Sequence, residues 1–151
     1  MSITGMRAVG DEITVRRAAA NTAVTAGGAG DNTLVTGVII DRFALGLPES
    51  AVIALLWAAT LAASQTLSLG WTLQHGDAAN LSDASTLTSA NAAVVATGAG
   101  SPTGQLEANV SLRGAKRYLR LNFTPDLSAA NTDTAAIAAT IVFGGASRLP
   151  Q

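Results

Sequence analysis

Alternation with a period of two is the feature that most restricts this chain. In Thr66 to Asp77, TLSLGWTLQHGD, the residues Leu67, Leu69, Trp71, Leu73 and His75 share one parity. Thr66, Ser68, Gly70, Thr72 and Gln74 share the other. Successive side chains of a strand point to opposite faces, so this pattern predicts a strand with one buried face. GQLEANVSLR repeats it, with Leu106, Ala108, Val110 and Leu112 opposite Gln105, Glu107, Asn109, Ser111 and Arg113. KRYLRLNFTP places Leu119, Leu121 and Phe123 opposite Tyr118, Arg120 and Asn122. TAAIAATIVFGG sets Ile137, Ala139, Ile141 and Phe143 against Ala138, Thr140 and Val142, apolar on both faces as a central strand requires.

Turn signals separate these segments: GGAGDN, GLPES, HGD, GAGSPTG, RGAK, TPDLS and GG. Short strands at such spacing predict an all-β sandwich or barrel. RGAK at 113–116 reads as a hairpin turn with Gly114 inside it. AVIALLWAATLAA, from Ala51 to Ala63, is ambiguous. Ala and Leu favour helix, and Ser50 is available as an N-cap. As a strand it gives one bulky face, Ile53, Leu55, Trp57, Ala59 and Leu61, and its β neighbours favour that reading. ITVRRAAANTAVT has weaker β character, and residues 77–104 read as a long polar loop with a weak strand near Ala92–Ala96. Long loops in compact domains often carry contacts.

The 151 residues suffice for one domain, with boundaries expected at 1–12 (arm), 13–146 (sandwich) and 147–151 (tail). The longest apolar run is too short for a membrane helix, which needs about 20 residues. The N-terminus has no apolar leader core, so a soluble chain without a signal peptide is expected. Charged residues are only 13%, against about 25% in typical domains. A surface so poor in charge suits a chain that spends its life in an assembly.

Composition also narrows chemistry. The absence of cysteine excludes disulfides, thiolate nucleophiles and cysteine-ligated zinc. Nine basic and ten acidic residues leave a net charge of −1, without the basic excess of a nucleic-acid binder. The one histidine, His75, stands two residues before Asp77, with Ser64, Ser68 and Ser82 as conceivable nucleophiles. No G-x-S-x-G elbow accompanies them, and a strand-end histidine before a Gly-Asp turn is the simpler reading. Asp77, Asn80 and Asp83 lack the calcium-loop pattern and read as a solvated turn. RGAKRYLR gathers Arg113, Lys116, Arg117 and Arg120, either a solvated edge patch, a protein contact or an RNA patch with Tyr118 stacking. Trp57 and Trp71 lie among apolar face-mates, which favours core packing over a sugar platform.

The order of these segments resembles the small head decoration, or cement, proteins of tailed bacteriophages, which have a jelly-roll β-sandwich. The likeness spans roughly residues 31–150. It rests on AVIALLWAATLA, TLSLGWTLQHGD, AANLSDAS and above all RYLRLNFTP…TAAIAATIVFGG. It implies a non-enzymatic virion protein without cofactors, made in the host cytoplasm and placed on the outer capsid surface. It implies contacts with several major capsid protein subunits, and dimers or trimers at local symmetry axes. Nucleic acid, membrane and small-molecule partners are not implied. Contacts would come from the arm (Met1, Ile3, Met6, Arg7, with Arg16 and Arg17 following), the loop (Asp77, Asn80, Asp83) and the basic cluster (Arg117, Arg120). An arm of this kind adds a strand to a neighbouring sheet edge through main-chain hydrogen bonds. A carbohydrate-binding jelly roll, or a tail or head–tail connector component, are the competing readings.

Overall fold

A computed structural model describes residues 9–129 and 132–146. The tail at 147–151 and most of the arm lie outside them. The fold is organised around one strand. β4 runs from Pro48 to Gly76, 29 residues without interruption. Straight, it would reach about 95 Å, more than twice the ~40 Å width of a domain this size. It therefore bends. Its first half pairs with β8 (Thr134–Ala146), from Pro48↔Ala146 to Thr60↔Thr134. Its second half pairs with β7 (Tyr118–Leu127), from Leu67↔Leu127 to Gly76↔Tyr118. Along its other side run β5 (Ser85–Gly100), against the second half, and β6 (Thr103–Ser111), against the first.

All three ply of this ribbon break at the same level, and the ribbon folds over into two facing sheets. Sheet A is β1–β8–β4–β6, where β1 is Ile13–Thr25. Sheet B is β5–β4–β7, extended by the two-residue strands β2 (Val35–Thr36) and β3 (Ile40–Asp41). Every pairing is antiparallel. A single helical turn, Val9–Glu12, precedes β1. No helix among the described residues is long and apolar enough to cross a membrane.

At the corner the backbone loses its ladder partners. Side chains replace them. The Ala62 N–H donates to Oδ1 of the buried Asp133 at 2.9 Å, and the Thr66 N–H donates to Ser128 Oγ at 2.8 Å. Ser128 returns its own N–H to the Thr66 carbonyl. Ser64 takes a left-handed conformation, φ 64°, and completes the turn. Opposite, β5 gives way to β6 through Gly98 and Gly100, both at positive φ, and the Pro102 carbonyl accepts from the Ala59 N–H.

The core lies between the sheets. Odd positions of β4 point inward on both sides of the corner: Ile53, Leu55, Trp57, Ala59 and Leu61 before it, and Leu67, Leu69, Trp71 and Leu73 after it. Leu119, Leu121 and Phe123 from β7 and Ile137, Ala139, Ile141 and Phe143 from β8 meet them. The expected strand at 51–63 and the four expected faces are thus present. One side of the sandwich is closed by residues 35–41. The Val38 N–H donates to Ala18 of β1, while β2 and β3 pair with β7. Gly37 permits this, because a Cβ there would collide with the carbonyl oxygens of Leu121 and Ala18.

Two expectations are corrected. RGAK is not a hairpin turn: β6 and β7 each pair with β4, in different sheets, so residues 112–117 cross from one sheet to the other. Leu112 and Ala115 are buried there, and they pull the crossing over the end of the core. The long polar loop is also absent as such. Residues 85–100 of it form β5, whose ladder to β4 is interrupted by several bulges that hide its period from the sequence.

The corner makes a stability prediction. Asp133→Ala leaves a part-buried amide without its acceptor and should cost about 1–3 kcal/mol, read as a lower thermal midpoint. Asp133→Asn keeps an acceptor oxygen and should recover most of that loss. Equal loss in both variants would show that the Ala62 hydrogen bond is not what holds the corner.

Candidate interaction surface

Bending β4 brings its two ends together, opposite the corner. The loops 41–49, 76–84 and 112–117 meet there, and so do most residues that sequence singled out. Arg42, which sequence reading passed over, sits at their centre. It is only 9% exposed, and its Nε donates to the Pro48 carbonyl at 2.9 Å and its Nη1 to the Ala115 carbonyl at 2.7 Å. Burial pushes its pKa down from the usual value, with the charge of Glu49 opposing.

Around Arg42 each charged side chain has an internal partner. Arg113 pairs with Glu49 at 3.3 Å, and Lys116 lies 3.8 Å from Asp77 and 3.6 Å from Asp83. Arg117 forms a two-pronged contact with Asp41 at 3.1 and 2.8 Å, and its guanidinium lies 5.2 Å from the Phe43 ring and 5.0 Å from the Tyr118 ring. The Arg117 hydrogen bond lowers the Asp41 pKa, and Asp41 raises that of Arg117 in return. Arg120 is on the outer face of sheet B, where it and the buried Asn122 all donate to Gln74 Oε1.

The candidate catalytic and metal groups are spent on turns. His75 Nδ1 accepts the Lys116 N–H at 3.2 Å. Asp83 accepts the N–H groups of Asp77 and Ala78 at 2.8 and 3.1 Å, which lowers its pKa. Asn80 Oδ1 accepts the Ser82 N–H at 3.0 Å. A Cβ on Gly76 would crowd the Asp83 carboxylate and the Leu81 side chain, so a larger residue here would displace the Asp83 turn contacts. Ser64 lies at the corner and Ser68 mid-strand, and neither bonds His75. Among the described residues no group of three or more His, Cys, Asp or Glu could hold a metal ion. Trp57 and Trp71 are 9% and 7% exposed, which removes them from any sugar platform.

Of the contact candidates, Met1, Ile3, Met6 and Arg7 lie outside the described residues. Arg16 and Arg17 belong to β1, opposite Ile141 and Thr140, rather than to an arm. Asp77, Asn80, Asp83 and Arg117 share the open end, and Arg120 lies on the neighbouring sheet face.

The surface away from this end is different. Residues 85–111, which make the β5–β6 edge, carry one charge in 27 residues, Glu107. Val94 is 57% exposed on this edge, and Leu56 and Val15 are 45% and 55% exposed on the outer face of sheet A. Leu56 and Val52 are the apolar residues of β4 larger than alanine whose even parity opposes the core.

No protein-family model matches the chain, and no curated protein matches it. Solved structures do. The chain adopts a jelly-roll-type antiparallel β-sandwich. It superposes on the particle protein of the T13 infectious bursal disease virus with a TM-score of 0.53 and 14% identity, covering 91% of this chain and 32% of that one. The VP2 subviral particle of the same virus gives 0.50 at 13% identity, covering 91% and 34%. The PBSX exported protein XepA gives 0.50 at 15% identity, covering 89% and 38%. At these identities the likeness is one of fold. The chain spans about a third of the length of the proteins it matches.

The open end makes two predictions. Asp83 has a folded pKa below its ordinary 3.8, so its hold on the Asp77 and Ala78 amides is complete above that value. It is lost as pH falls through the lowered one. Amide exchange at those residues, corrected for its intrinsic pH dependence, should stay protected at neutral pH and loosen there, or at any pH in Asp83→Ala. Arg42→Met leaves two carbonyls without a buried donor and should cost about 1–3 kcal/mol in chemical unfolding.

Proposed function

We propose that the chain is a virion structural protein that decorates and stabilises the outer surface of a capsid by bridging major capsid protein subunits. The observation that carries this reading is the division of the surface. Charged groups at the open end are paired with internal partners, whereas the outer face of sheet A and the β5–β6 edge carry little charge and expose Val15, Leu56 and Val94. A pocket enzyme concentrates convergent polar groups in a cleft. A protein that lies against other subunits presents broad surfaces depleted of charge at their centre. The fold agrees with this reading, since a jelly roll of this type occurs in the infectious bursal disease virus particle.

Decoration multiplies a weak contact over a symmetric lattice, so a modest surface per copy suffices. The bulges of β5 blunt it as a template for strand addition. Contacts along that edge are therefore made by side chains such as Val94 rather than by main-chain pairing. The N-terminal residues Met1, Ile3, Met6 and Arg7 would supply main-chain pairing instead, as a strand added to a neighbouring subunit.

The test is the number of copies in the intact particle made from the same genome, by quantitative gel or by a map of the particle. Hundreds of copies on the outer surface are expected, together with binding to expanded heads and little binding to unassembled capsid subunits. A single ring's worth of copies would assign a connector or tail role, and absence from the particle would end the virion reading.

A further inference from the structure

Sheet A has an outer face that nothing among the described residues covers: Leu56 and Val15 stand exposed on it. The ladders fix its residues in rows. Val15, Val142, Val52 and Asn109 form one row across β1, β8, β4 and β6. Arg17, Thr140, Ala54 and Glu107 form the next. Ala138, Leu56 and Gln105 follow, then Ala23, Ala136, Ala58 and Thr103. The centre of the face is apolar. Its two charges stand in the same row on opposite edge strands, Arg17 on β1 and Glu107 on β6. Neither has an ion-pair partner among the described residues, unlike the charges of the open end.

We infer that this face is an isologous interface with a second copy of the chain, built on a two-fold axis parallel to β4 and passing between β4 and β8. The axis exchanges β1 with β6 and β8 with β4 while keeping each row level. Arg17 then meets Glu107 of the second copy, and Glu107 meets its Arg17, so two ion pairs close the two rims. Inside the rims, Leu56 faces the small Ala138, Val142 faces Val52, and Ala136 faces Ala58. The one large side chain of the central rows, Leu56, thus meets the small Ala138. The perpendicular axis would set β1 against β1 and β6 against β6, bringing like charges to the same rim, so the charge pattern selects the parallel one.

The size fits. Four strands at about 4.8 Å and four rows at about 6.7 Å make a patch of about 500 Å² per copy. The pair then buries about 1,000 Å², the lower limit for a specific interface. This interface belongs to the free chain and does not depend on whether the chain binds a capsid.

Sedimentation of the purified chain and its variants decides the matter. The wild type is expected to reach twice the chain mass, and Leu56→Arg to remain a monomer. Arg17→Glu or Glu107→Arg alone converts both rim pairs to repulsion and should weaken the dimer about 10- to 100-fold. An equimolar mixture of these two variants should restore it as a heterodimer, because one copy then carries two acidic rims and the other two basic ones. That rescue also shows both variants to be folded. A wild type that stays monomeric at high concentration would overturn the inference. So would a dimer indifferent to both reversals, or a mixture that regains no association.

Discussion

The corner of β4 is the interaction on which the rest of the structure depends. A 29-residue strand cannot lie straight in a domain this small, and a bend strands backbone amides that a ladder would otherwise hold. Buried amides without partners are costly. Asp133 and Ser128 take them, and both come from the short crossover between β7 and β8. The residues that staple the corner thus also fix where β7 leaves sheet B and where β8 enters sheet A. Asp31 extends the same device. Its carboxylate accepts the N–H groups of Leu127 and Gly27 at 2.8 and 2.7 Å, tying the 27–33 turn to the end of β7.

One bend in a three-ply ribbon decides where the surfaces fall. It stacks the inner faces of the two halves on each other and turns the outer faces to the outside. It also brings the two ends of β4 together, so the loops there share a few charges and satisfy one another. Little charge is left for the outer face of sheet A. The apolar outer rows of sheet A follow from this arrangement, since β4 and β8 are central strands whose outer positions are filled by Ala, Val, Thr and Leu. A central strand gains β-propensity and packing from such residues, and on a face that no described residue covers Leu56 is left 45% exposed.

The strand faces were legible because alternation is a local property. Leu67 to Leu73 and Leu119 to Phe123 declare their buried side without reference to anything distant. Partners were not legible. Leu106 to Leu112 and Leu119 to Phe123 look like the arms of one hairpin, yet each pairs with β4 in a different sheet. The corner was missed because Ala62 to Gln65 holds neither Gly nor Pro, and Ser64 takes the positive φ without the residue type that announces it. An available clue was the odd parity shared by Ala51 to Leu61 and Leu67 to Leu73, on either side of Ala62 to Gln65. Of β5 only the stretch near Ala92–Ala96 was legible, because each bulge resets the parity of the rest. Of the functional residues, His75 and Asp77 drew attention by chemical type, whereas Arg42 acts only through carbonyls far away in sequence.

The two ends of the sandwich are held by different physics. At the corner, carboxylate and hydroxyl oxygens accept backbone amides at short range, partly shielded from solvent. At the open end, Arg113 with Glu49 and Lys116 with Asp77 and Asp83 are exposed pairs. Exposed pairs contribute little singly and are screened by salt, while hydrogen-bonded buried groups are screened far less. Added salt therefore loosens the open end and leaves the corner intact. Arg42 is held by the second kind of contact, because its two carbonyl partners are buried and tie the 42–48 segment to the 112–117 crossing.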